Sequence, residues 1–95
     1  MDIEFRDEKL ALVETDRAAE TKLPVSVINS LRKKLQLLRA ALDERTLRNW
    51  KGFHYEKMEG DERSIRLNDQ YRLIFMLDTQ CRPNKVTILR IWDHD

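Results

Sequence analysis

The apolar pattern of this chain changes period once, at Gly52. Before it, Ile28, Leu31, Leu35, Leu38 and Leu42 step by three and four residues, which places them on one stripe of a helix. After it, apolar residues tend to recur at every second position, as side chains do on one face of a strand. A chain of 95 residues holds one domain. The expected fold class is therefore α+β: N-terminal helices packed on a small antiparallel-rich β-sheet, with residues 1–95 as a single unit.

The helical half reads as several pieces. "MDIEF" is expected to be a first strand. Asp7 is placed to cap a short helix carrying Leu10 and Val13. Pro24 suits the first turn of the long helix, and Asp43 suits the cap of a following one that Gly52 ends. Leu47 and Trp50 are expected inside. Arg32, Lys33, Lys34 and Arg39 fall off the apolar stripe and are expected to face water or a partner.

In the second half, strands are expected near 54–59, 63–68, 71–78 and 85–93. The last, "VTILRIW", is apolar on both faces, as an interior strand would be. "DTQCRPN" supplies the loop before it.

Charge is uneven. Residues 1–20 hold three basic and seven acidic side chains, a net of −4. Residues 31–51 hold seven basic and two acidic, a net of +5. Such segments form either a solvated helix surface or a patch that faces an anion. The overall balance of +1 neither demands nor excludes nucleic acid. One cysteine, Cys81, rules out an internal disulfide and a CxxC or Cys/His zinc site. The charged start "MDIEFRDEK" is not a signal peptide, and no apolar run is long enough to span a bilayer, so a cytoplasmic location is expected.

"ERSIRLNDQYRLIF", residues 62–75, carries the chemistry. If Asn68, Asp69 and Gln70 form a three-residue loop, Ile65, Leu67, Tyr71, Leu73 and Phe75 share one face. The opposite face then receives Ser64, Arg66, Arg72, Ile74 and Met76, with Arg66 directly across from Arg72. Like charges so placed are unfavourable and require an anion. A carboxylate (Asp93, Asp95, Glu56 or Glu59) would serve, and so would a phosphate, which fits the guanidinium fork. The chain ends in "IWDHD", where His94 lies between two carboxylates and could move a proton near neutral pH. His54, in "GFHYEK", is a second candidate.

The helix hairpin, "FHYEKMEGDERSIRLNDQYRLIF" and a last strand ending in "WDH" resemble the HigB-type toxins of the RelE/ParE superfamily, over roughly residues 24–95. The resemblance implies a ribonuclease that cuts mRNA, usually on the ribosome. It also implies a HigA-like helix-turn-helix antitoxin, with DNA met only through that antitoxin and no membrane. Arg66 and Arg72 then resemble residues that hold the scissile phosphate, and Asp93 the aspartate of the terminal Asp-Tyr-His. His94 stands where many members have Tyr, and Asp95 where they have His. Glu59 replaces a common lysine.

Self-cleavage of RNA by its 2′-hydroxyl needs a base, an acid and positive charge on the phosphate. His94, Lys57 and His54 are candidates for the proton transfers, and no cofactor or metal is required. The alternative is a non-catalytic ParE-like or degenerate toxin that acts only by binding protein.

Overall fold

A computed structural model describes residues 1–93 of the chain. Strand β1 (Asp2–Phe5) leads to helix α1 (Glu8–Ala11), two 3-10 turns, and the long helix α2 (Val25–Ala40). Helix α3 (Glu44–Asn49) and a 3-10 turn over Lys51–Phe53 complete the first half. Strands β2 (Glu56–Lys57), β3 (Glu62–Arg66), β4 (Tyr71–Asp78) and β5 (Lys85–Asp93) follow. They form one sheet of order β1-β5-β4-β3-β2, antiparallel except for β1, which runs parallel to β5. The α+β expectation holds, and "VTILRIW" is an interior strand.

The caps lie where the sequence placed them. The Asp7 carboxylate accepts Lys9 N at 2.9 Å, and that of Asp43 accepts Thr46 N at 3.0 Å. Each satisfies a backbone donor that the first helical turn leaves open. Pro24 sits one residue outside α2, at its N-cap. Gly52 does not end α3, which stops at Asn49. It lies inside the next 3-10 turn.

Ile28, Leu31, Leu35 and Leu38 are buried, in one cluster with Ile65, Leu73, Phe75 and Ile88 of the sheet. Each fully buried side chain of this size contributes about 1.5–3 kcal/mol. Leu42 breaks the expected stripe and is 85% exposed. The backbone turns extended at Ala41, so Leu42 leaves the helix before its turn can bring it inward. Ala41 is buried in its place.

The basic residues of α2 are not all free for a partner. Arg32 donates to the Val13 and Thr15 carbonyls at 2.6 and 2.9 Å, and Arg39 forms a two-pronged pair with Glu14. Part of the positive helix thus clamps the acidic N-terminal segment, and the two charged regions of the sequence partly neutralise each other. Among the described residues, no helix is long and apolar enough to cross a membrane.

Candidate active site

The β3–β4 hairpin has the expected register: Arg66 faces Arg72 and Ile65 faces Leu73. Asn68 closes it. Its Oδ1 accepts both Gln70 N and Tyr71 N at 2.8 Å, a side-chain substitute for a backbone turn. Ile65, Leu67, Leu73 and Phe75 enter the core, while Ser64, Arg66 and Arg72 stand on the other side of the sheet.

That second face is not simply solvated. Ser64 and Ile74 are buried there, and Arg72 is held firmly. Its Nε donates to Ser64 Oγ at 3.0 Å, and its Nη2 donates to the His54 carbonyl at 2.6 Å. Glu56 lies 3.9 Å from the same nitrogen. No hydrogen bond from its Nη1 occurs among the described residues, which leaves donors for a ligand. Arg66 is more open and pairs with the Asp69 carboxylate. The like charges are therefore offset by Asp69 and Glu56. Of the expected carboxylates, Glu56 takes part, while Asp69 was hidden in the loop.

The 3-10 turn after α3 delivers His54 in a left-handed conformation, φ 45° and ψ 52°. Its carbonyl then meets Arg72, and His54, an exposed residue, lines the cleft. The cleft encloses about 370 Å³ between His54, Glu56, Arg66, Asn68, Asp69, Arg72 and Trp92. Lys34 of α2 adds to its positive field. Burial holds its amine below the usual lysine range, and the charges of Lys33 and Arg66 push it further down. Its Nζ reaches the Gly52 carbonyl at 3.3 Å and lies 5.2 Å from the Phe53 ring centre.

The structure therefore unites Arg66, Arg72 and His54. It does not bring Lys57 to them. Lys57 pairs with Arg63 and its neighbour Glu56 with Ser64, so alternation puts Lys57 on the opposite face. There its charge helps to hold Glu44 ionised. Asp93 ends β5 opposite Tyr71, and its carboxylate accepts Gln70 Nε2 at 3.0 Å. It fastens the hairpin tip to β5 and is not among the residues lining the cleft. His94 and Asp95 lie outside the described residues. Glu59 borders a separate hollow with Met58, Glu62 and Arg90, so its carboxylate is not at the arginine pair.

Trp92 was missed in the sequence, although it shares the cleft face with Arg72 across the strand pair. Ser64 was visible on that face, but its bond to Arg72 was not.

Beside the cleft, Glu44 ties α3 to the sheet. It accepts the Tyr55 hydroxyl at 2.5 Å and lies 3.4 Å from both Arg63 and Arg48. The Tyr55 bond, helped by both arginines, holds its carboxyl below the usual range. Burial, and then Glu44 itself, raises the Tyr55 hydroxyl.

The fold is similar to that of a YoeB/ParE toxin from Agrobacterium tumefaciens. That comparison has a TM-score of 0.61 with all of both chains covered and 11% identity, so it speaks for the fold alone. Toxin HigB-1 of Vibrio cholerae serotype O1 is 38% identical over 94 residues, covering 90% of this chain and 99% of that protein. The family described as RelE-like toxin of type II toxin–antitoxin system HigB matches residues 3–87, which takes in both arginines and His54. With the fold, the arginine hairpin and these matches in agreement, this chain belongs to the HigB-like toxins of type II toxin–antitoxin systems.

Proposed function

We propose that this toxin is a metal-independent endoribonuclease that cleaves mRNA on the translating ribosome. The observation that carries the reading is the shared cleft of Arg66, Arg72 and His54. A scissile phosphate entering it displaces Asp69 from the exposed Arg66 and takes the Nη1 donors of Arg72. As the 2′-hydroxyl attacks phosphorus, negative charge builds on the non-bridging oxygens. The fixed guanidinium of Arg72 and the recruited one of Arg66 stabilise that charge more than they stabilise the ground state. His54 is placed to take or give a proton. His94, following Asp93 in the chain, is the second candidate for proton transfer. Arrest of the activity falls to a HigA-like helix-turn-helix antitoxin, since toxins of this type are paired with an antitoxin.

One observation favours the binding-only alternative. Both arginines already have carboxylates beside them, and Lys57 faces away, so the cleft is less basic than the sequence implied. The test is to incubate the purified toxin with mRNA-programmed ribosomes in the Mg²⁺ buffer that keeps them translating, and to analyse the ends of the mRNA. New fragments ending in a 2′,3′-cyclic phosphate and a 5′-hydroxyl support the ribonuclease. Intact mRNA under translating conditions favours the binding-only toxin.

A further inference from the structure

β5 contains one irregularity, and it decides where Trp92 points. Phe75 of β4 faces Ile88, while the preceding Ile74 faces Arg90, so Leu89 is an extra residue without an opposite number. This bulge shifts the alternation of everything beyond it. Without it, Trp92 would share the parity of Ile88 and enter the core. With it, Ile91 packs against the core and Trp92 turns to the arginine face, opposite Arg72.

The result is a tryptophan 42% exposed, in the wall of a cleft whose other members are polar or charged. A ring this large stabilises the fold most when buried, so aiming it outward forgoes part of that gain. Residues directly opposed on neighbouring strands have Cβ atoms about 4.5–5.5 Å apart. Trp92 and Arg72 therefore leave the sheet side by side, and both line the same cleft. A nucleotide has the same two parts side by side, an anionic phosphate and a flat apolar base. Single-stranded nucleic acid is commonly held in this way, by cations on the backbone and aromatic rings under unstacked bases.

We propose that Trp92 is the platform on which a base of single-stranded RNA stacks while Arg66 and Arg72 hold an adjacent phosphate. The inference rests on the ribonuclease reading and adds a positioning residue to it. Stacking fixes the ribose of that nucleotide, and with it the approach of its 2′-hydroxyl to phosphorus.

The chain has two tryptophans, so the Trp50→Phe variant leaves Trp92 as the one indole reporter. This variant is titrated at low salt with a short uncleavable 2′-O-methyl oligoribonucleotide, and with an abasic oligomer of equal charge. The expected result is quenching of Trp92 by the first and not by the second. Trp92→Leu should weaken binding of the base-bearing oligomer by about tenfold, the size of one base–aromatic stack. Trp92→Phe should keep most of the affinity, and neither change should alter binding of the abasic oligomer. Equal binding of both oligomers without quenching overturns the stacking role and leaves the ribonuclease reading intact. Binding of neither oligomer overturns the stacking role, while the ribonuclease reading is decided separately by the ribosome assay. Unchanged RNA affinity in Trp92→Leu, with weakened antitoxin binding, would also overturn that role and assign the ring to the antitoxin surface.

Discussion

Arg66 stands directly across the β3–β4 hairpin from Arg72, yet the two are held in different ways. The Arg72 side chain is 14% exposed and bonded to Ser64 and to the His54 carbonyl. That of Arg66 is 38% exposed, and its partner Asp69 is 94% exposed. One arginine is part of the wall, and the other is a side chain that a ligand can claim.

This asymmetry predicts unequal stability effects. Arg66→Ala should leave stability within about 0.5 kcal/mol, since an exposed pair contributes little and removing it also removes the cross-strand repulsion. Arg72→Ala should cost about 1–3 kcal/mol, because buried Ser64 and the His54 carbonyl lose their donor. Urea denaturation of both variants checks this. Both should relieve growth arrest. Arg72→Lys should recover less activity than charge alone would give, because a lysine cannot bridge the same acceptors.

His54 combines a left-handed backbone with an exposed imidazole, and one substitution separates the two. His54→Gly removes the ring while suiting the positive φ, so thermal stability should hold or rise by up to about 1 kcal/mol. Cleavage should fall if the ring moves a proton, by the roughly 10²–10⁴-fold ascribed to general acid–base groups. Activity equal to wild type in a stable His54→Gly protein would remove His54 from the chemistry.

Glu44 predicts a pH effect. Its folded carboxyl titrates below the unfolded one. Its contribution is therefore complete above the unfolded carboxylate range, about pH 4.3, and is lost as pH falls through the folded value. Glu44→Gln should be less stable than wild type at pH 7. Its stability should also depend less steeply on pH below about 5. Parallel pH profiles for the two proteins would show that Glu44 does not contribute in this way.

Much of this arrangement was legible in the sequence. The hairpin register followed from alternation, because one slip would bury charge. The Asp7 and Asp43 caps followed from local chemistry. Other features depend on backbone events that periodicity does not register. Leu42 fits the helical stripe, but the chain turns extended at Ala41. Trp92 fits a core position until the bulge at Leu89 reverses its side. Asp69 reaches Arg66 only through the shape of the loop. Lys57 is a different case: it and Glu56 are neighbours in a strand, so only one could share the face of Arg72, and the β2–β3 register, which alternation leaves open, decides for Glu56.

The exposure of Leu42 yields its own test. Leu42→Ser should change stability by less than about 0.5 kcal/mol, whereas Leu38→Ala, at a fully buried position of the same stripe, should cost about 2–5 kcal/mol. Thermal or urea melts of the two variants suffice. Equal losses would place Leu42 in the core after all.

If the arginine cleft cuts mRNA, the cuts are present in cellular transcripts. Primer extension after brief induction of wild-type toxin, or of the Arg66→Ala variant, in bacteria reads them. The wild type should produce discrete new 5′ ends within translated regions as growth stops, and the variant should leave transcripts intact and growth continuing. Growth arrest by the wild type with transcripts left whole would mean that the cleft does not cut mRNA.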